Sequence, residues 1–336
     1  NKKKSIYNMD LVFHGDKHRD NHFWVYPETI PLGENCPPWD TNHLESYCNN
    51  YKYLHTFLDS GIKEYECLGC CQKEEILIAI LVKDKSACLP FYLQCIYNQN
   101  YDKKKLHLYI RTNDNNDNSA ELLMEFIGKY GKEYGSVYYD DSSLSPILKK
   151  MAHRDWNRHR FEILGQIRQD SIDYAKKYGW HYFVADCDNF VTPNTLNDMI
   201  KHKKLKVLGP MLPTKTGYSN YHYAVDNDGY YAHHENYMKL LHKQIVGAHE
   251  VAVIHCTYFI SNETLKDISY NDGTGRHEYV VFSDVLRKKN IKQYLLNDKF
   301  YGILTWHLDE NDLKNDLKGY WKWALPNFKI SDDYFQ

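Results

Sequence analysis

A chain of 336 residues, 43% hydrophobic and 26% charged, is long enough for one large α/β domain or two smaller ones around a real core. A formal net charge of -2 and a pI near 6.8 exclude a general nucleic-acid binder, because neutralising a phosphate backbone needs a basic field. No stretch approaches the ~20 apolar residues of a membrane span; Asn1, Lys2, Lys3 and Lys4 lack the apolar core of a signal peptide, and a start at Asn1 leaves room for a leader already removed.

Residues 1–72 carry Pro, Trp, Gly and Cys without a sustained period, which predicts an irregular N-terminal extension with one short helix near 43–60. There are nine cysteines. Cys67, Cys70 and Cys71 have a spacing met in metal and redox sites, but no second ligand pair stands where a zinc site needs one. Cys36 with Cys48, or either with the group at 67–71, is the pairing open to the chain in an oxidising compartment. Cys88, Cys95, Cys187 and Cys256 lie in apolar runs and read as core thiols.

From Glu75 the character changes. "ILIAILVKD" is a continuous apolar run of strand length, and Leu89, Leu93 and Ile96 after it have helical spacing. "LHLYIRTND" reads as a second strand, and "SAELLMEFIGKYG" as a helix with Ser119 as N-cap and a glycine at its end. This alternation predicts a parallel, doubly wound sheet. The long helix "RHRFEILGQIRQDSIDYAKKYG" and the strand "HYFVADCD" follow; Thr192 and Pro193 have the chemistry of an N-cap and first helical residue for the next helix. "KVLGPML" and "VAVIHCTYFIS" are further strands, with a hairpin turn at Asp228-Gly229 between them. "HEYVVFSDVLRKKN" is an amphipathic helix, "IKQYLLND" the last strand, and the tail from Tyr301 is Trp-rich and irregular. We divide the chain into the extension (1–72), an α/β domain (73–310) and a tail (311–336).

On an extended strand residues two apart point to one side, so Asp186 and Asp188 are expected to face one spot while Cys187 faces the core. Two adjacent carboxylates repel unless a cation lies between them, and the carboxyl ends of the strands are where open α/β sheets bind ligands. A divalent ion shared with a substrate diphosphate relieves that repulsion. A solvated strand end, or a cap for the next helix, is the alternative. Arg160 and Arg168, eight apart on one helix, share a face that either pairs with diphosphate or looks outward.

In order and spacing, "ILIAILVKD", "YIRTNDNNDNS", "RFEILGQIRQ", "YFVADCDNFVTPNTL", "GPML", "YSN", "GYY", "HCTYFIS" and "FYGIL" span residues 75–307 and resemble the collagen hydroxylysine glycosyltransferase family (glycosyltransferase family 25, procollagen galactosyltransferase-like), in particular its first domain and a giant-virus, single-domain member. The usual Asp-Ala-Asp-Asn of that family reads Asp186-Cys187-Asp188-Asn189 here. The resemblance implies a GT-A-type, Rossmann-like, mostly parallel sheet flanked by helices, a donor that is UDP-glucose or UDP-galactose, and Mn²⁺. It implies Asp186, Asp188 and a late histidine, His307, as metal ligands, with Asp298 as the rival to His307. Backbone groups of Ala79, Leu81 and Val82 would meet the uracil, and Thr112 the base and ribose; Arg168 and Arg160 would meet the diphosphate. Asn220, His222 and His255 fall near strand ends where sugar hydroxyls need partners, although His255 fits a satisfied core histidine equally. Glu278 matches an acid of the family and would take the acceptor proton, with Asp188 as the other catalytic acid residue; a first-turn acid complementing the helix dipole is the alternative.

The acceptor implied is a collagen-like peptide bearing hydroxylysine or galactosylhydroxylysine, in the ER lumen or, for a viral member, the infected host cell. Galactose transfer to hydroxylysine inverts the anomeric centre; glucose transfer to the galactosyl group retains it. A non-catalytic collagen- or sugar-binding module of the same fold is the runner-up, and a metal-dependent nucleotidyltransferase or phosphohydrolase the third reading. Neither nucleic acid nor a membrane span is expected. Homodimer formation through the extension or the tail is.

Overall fold

The computed structural model describes residues 74–143, 158–214, 217–305 and 313, within a compact unit that begins at Glu74. The N-terminal extension, its helix near 43–60, the cysteines at 36, 48, 67, 70 and 71, His307 and the tail apart from Leu313 lie outside the described residues. So the disulfide pairings and the third metal ligand expected above do too.

The run "ILIAILV" is β1 (Ile76–Val82), and β2 (Leu106–Thr112) is buried throughout, as central parallel strands covered on both faces must be. Between them α1 (Leu89–Tyr97) begins with a proline in its first turn, where a missing N–H costs nothing. Then come α2 (Ser119–Tyr130), the half-exposed edge strand β3 (Ser136–Asp140), α3 (Arg158–Tyr178) and β4 (His181–Ala185). The second half holds β5 (Asn189–Val191), α4 (Thr195–Lys201), β6 (Val207–Pro210), β7 (Tyr221–His222), β8 (Ala224–Val225), β9 (Tyr231–Ala232) and α5 (Glu235–Leu241). It closes with β10 (Ala248–Val251), β11 (Val253–Ile254), β12 (Thr257–Ile260), α6 (Glu278–Lys288), β13 (Gln293–Leu296) and β14 (Gly302–Leu304).

Eight strands form the main sheet in the order β10-β13-β6-β12-β4-β1-β2-β3. Six run parallel, while β12 is antiparallel to both neighbours and β10 is an antiparallel edge. This is the mostly parallel, Rossmann-like sheet expected, and its two faces are both covered. Alternate residues of β1 separate: Ile78 and Ile80 pack with Phe91, Leu123 and Phe126 of α1 and α2, whereas Leu77 and Ala79 pack with Ile172 of α3 and Phe282 of α6.

Three local expectations are corrected and two stand. Ser119 is the first helical residue of α2 and not its cap; its Oγ accepts the Lys85 N–H at 2.9 Å. The glycine expected at the end of α2, Gly131, is its C-cap, at φ -57. Thr192 and Pro193 precede α4, which starts at Thr195, because "NFV" is taken up as β5, pairing with β14. "VAVIHCTYFIS" breaks into β11 and β12 at His255-Cys256, where Cys256 adopts φ 63. The Asp228-Gly229 turn stands as expected, closing β8 onto β9 with Gly229 at φ 91.

Candidate active site

The register between β1 and β2 runs to Val82 opposite Thr112, but that between β1 and β4 stops at Ala79 opposite Val184. The two central strands therefore part at their carboxyl ends. In that opening β4 ends at Ala185, and Asp186 starts a turn closed by the Asn189 N–H on its carbonyl at 2.9 Å. The aspartates are thus not two apart on an extended strand as expected; a turn presents both carboxylates, and Cys187 between them is buried as expected. Two other segments fix the turn. Asp186 N–H donates to the Cys256 carbonyl at 3.0 Å, and Thr305 N–H to the Asp188 carbonyl at 2.9 Å. Thr305 follows β14, whose Gly302 lies so close to β5 that a Cβ would overlap the Phe190 carbonyl oxygen.

Each aspartate has a cationic partner. Arg168 Nη2 lies 2.9 Å from Asp186 Oδ1, and Lys85 Nζ 2.6 Å from Asp188 Oδ2. Arg168 reaches a third carboxylate, with Nε 3.5 Å from Glu278 Oε1. Burial works against the guanidinium's charge, but Asp186 and Glu278 outweigh it and drive its pKa well up. Burial raises the Glu278 pKa, with Arg168 partly offsetting it, so this carboxyl holds a proton more readily than an exposed one. Arg168 Nη1 is buried without a hydrogen-bond partner among the described residues, a donor that normally finds an acceptor in a native interior.

Lys85, whose ammonium meets Asp188, is absent from the candidates drawn from the sequence. Its signal was position, three residues beyond the first strand, where such sheets take ligands. The loop carrying it is clasped to the loop after β2. Asp84 N–H donates to Asn115 Oδ1 at 2.9 Å and Asp84 Oδ1 accepts Asn116 N–H at 2.6 Å. Ser86 N–H donates to Asp117 Oδ2 at 2.9 Å.

Other expected residues divide. Leu81 and Val82 lie where β1 has left β4, and the Cys187 thiol meets the Leu81 carbonyl at 3.5 Å. Ala79 is fully buried and in register with both Tyr109 and Val184. Thr112 ends β2 with its Oγ1 accepting from Asn115 Nδ2 at 2.6 Å. Arg160 is half-buried two turns before Arg168 on α3. Asn220 is fully buried and clamps several segments. Its Nδ2 donates to the carbonyls of Pro210 and Thr257, at 2.9 and 3.3 Å, and its Oδ1 accepts from Leu212 N–H and Ser219 Oγ, at 2.8 and 3.2 Å. All four positions of the amide are used.

His255 is buried, with Nε2 3.1 Å from the Tyr218 hydroxyl and Nδ1 2.9 Å from Cys256 Sγ. Burial, then His222 and Arg168, push its pKa down to about 3, so it is neutral. Burial takes His222 to about 4, and its Nδ1 has no partner among the described residues. These rings and Tyr279 lie 5.3 to 5.8 Å apart, centroid to centroid. Asp298 accepts the Tyr301 hydroxyl at 2.7 Å.

The donor set suits a hard divalent ion. Asp186 and Asp188 are partly exposed, and Asp186 Oδ2 and Asp188 Oδ1 accept no hydrogen bond among the described residues. No group of three His, Cys, Asp or Glu able to hold an ion occurs among those residues, so diphosphate oxygens and water would complete a shell of the kind Mn²⁺ or Mg²⁺ accepts.

The sequence profile described as Glycosyltransferase family 25, N-terminal domain, matches residues 73–322. Similar curated proteins include inactive glycosyltransferase 25 family member 3 of Mus musculus, 26% identical over 239 residues, with 68% of this chain and 40% of that protein covered. Procollagen galactosyltransferase 1-A of Xenopus laevis is 27% identical over 239 residues, covering 68% and 39%. The chain thus spans about 40% of the length of these relatives. Among solved structures, S. aureus TarS 1-349 in complex with UDP is similar at 13% identity and TM-score 0.44, covering 78% of this chain and 68% of that one.

Proposed function

The chain belongs to glycosyltransferase family 25, and from that premise we propose that it moves a hexose, glucose or galactose, from a UDP-sugar to hydroxylysine or galactosylhydroxylysine of a collagen-like peptide, with Mn²⁺ as cofactor. The observation that carries the reading is the convergence of Asp186, Asp188, Arg168 and Glu278 at the split between β1 and β4. Such a cluster is costly to bury unless it handles charge.

When bound, the metal supplies positive charge for the diphosphate leaving group, and Asp186 and Asp188 are the residues that would hold it. Arg168 is held between Asp186 and Glu278 with Nη1 still to be satisfied, which equips it to donate to a diphosphate oxygen as negative charge grows there. Leu81 and Val82 offer backbone at the opening for the base. In galactose transfer Glu278 Oε takes the proton of the hydroxylysine hydroxyl, and its raised pKa makes it a better base than an exposed glutamate. In glucose transfer the anomeric configuration is retained, and Glu278 instead orients hydroxyls.

A non-catalytic module is the second reading, favoured by relatives named inactive at comparable similarity. The two are separated by incubating the protein with Mn²⁺, a hydroxylysine or galactosylhydroxylysine peptide and either UDP-galactose or UDP-glucose. Mass gain of one hexose on peptide supports transfer and identifies donor and acceptor; peptide binding without any gain supports the module.

A further inference from the structure

The charged groups around the Asp186 turn nearly balance by themselves: Arg168 faces Asp186, Lys85 faces Asp188, and Glu278 remains as the third carboxylate. A divalent cation arriving alone on Asp186 Oδ2 and Asp188 Oδ1 sits beside the Lys85 ammonium held on Asp188 Oδ2 and is repelled by it. A diphosphate arriving alone meets two aspartates. Together the two nearly cancel, so their binding is expected to be mutually favourable.

Lys85 is built to mediate this. Its backbone is pinned, with its N–H on Ser119 Oγ at 2.9 Å and its carbonyl accepting from Cys88 N and Leu89 N at 3.0 and 2.9 Å, so the start of α1 and the start of α2 hold it from both sides. Only the side chain can redirect, and at 24% exposure it borders the opening. Arg168 is less free, being tied to Glu278 as well as Asp186 and only 13% exposed.

Resting on the nucleotide-sugar reading above, we infer that Lys85 is a resident counter-cation: it neutralises Asp188 until metal and nucleotide arrive together, then turns from the carboxylate to the diphosphate. Lys85 is thereby a positioning residue that makes metal entry depend on the donor.

The test is Mn²⁺ binding followed by the electron paramagnetic resonance signal of free Mn²⁺, without and with UDP. It compares the unaltered protein with Lys85→Met, Lys85→Arg and Lys292→Met, the last removing a remote ammonium that pairs with Glu250. Lys85→Met should bind Mn²⁺ alone roughly tenfold more tightly, and its gain from UDP should fall from on the order of a hundredfold to roughly tenfold or less. The gain in UDP affinity conferred by Mn²⁺, read by calorimetry, must fall by the same factor. Lys85→Arg should keep most of the coupling, and Lys292→Met all of it. If Lys85→Met melts below the assay temperature, Lys85→Gln serves the same comparison. Unchanged Mn²⁺ affinity and coupling on loss of the Lys85 charge would overturn the inference while leaving the nucleotide-sugar reading standing. If the unaltered protein binds neither Mn²⁺ nor UDP, alone or together, that reading falls and the inference with it.

Discussion

The two halves of the domain are held together by different means. From β1 to β4 the strands have five to seven residues in parallel register around the apolar runs of β1 and β4, and the loops after those two strands carry Lys85, Asp186 and Asp188. From β6 to β14 the strands have two to four residues each, and buried polar side chains take over. Asn220 ties β6 to β12; Asn297 reaches the carbonyls of Leu240 and Ile245 at 3.0 and 2.8 Å; Gln293 accepts the Ile254 N–H at 3.1 Å. The side carrying Lys85 and the two aspartates rests on hydrophobic packing, which tolerates change at exposed loop positions, whereas the side carrying His222 and His255 adds to its own apolar packing single hydrogen bonds whose loss leaves buried partners orphaned.

The comparison breaks most sharply at the charged turn. Asp188→Ala should lower hexose transfer by about 10²- to 10³-fold with little change in melting temperature, read by initial rates beside a thermal melt. Glu278→Gln should lower galactose transfer by about a hundredfold near neutral pH. Because burial raises its pKa, the carboxylate form needed for catalysis is lost from a higher pH than usual as the solution is acidified. The acid limb of kcat/KM that this produces should flatten in the variant.

On the polar-clamped side the expected loss is of stability. Asn220→Ala orphans two backbone carbonyls and the Leu212 N–H, and should cost about 2 to 3 kcal/mol in a denaturant titration. The smallest effect is graded. His222 and His255 have folded pKa values of about 4 and about 3, below the unfolded value near 6.5. Their contribution is therefore complete above pH ~6.5 and is lost as pH falls toward ~4, by about 1.4 kcal/mol per pH unit for each histidine. His222→Gln should remove one such share of the slope between pH 6 and 4.5, measured as unfolding free energy against pH.

Legibility followed the same division. β1, β2, α3 and α6 were readable because apolar spacing is set by the element's own geometry. Asp186, Asp188, Arg168 and Glu278 were readable by type and place, and three-dimensional packing brings Arg168 onto both Asp186 and Glu278. Lys85 was not, since its aim depends on a loop clasp with Asp84 and Asp114 at positive φ, 50 and 46, and such loops have no period. Asn220 looks the same in sequence as a ligand or a clamp; only the structure brings its amide between β6 and β12. Two-residue strands such as β7 and β11 are too short for alternation to register.

The central claim is tested most directly by crystals soaked with UDP and MnCl₂ and recorded at the manganese absorption edge. An anomalous peak shared by Asp186, Asp188 and the diphosphate is expected, with the Lys85–Asp188 contact opened. Bound UDP with no manganese peak at this turn, and both aspartates still paired to Arg168 and Lys85, would contradict it.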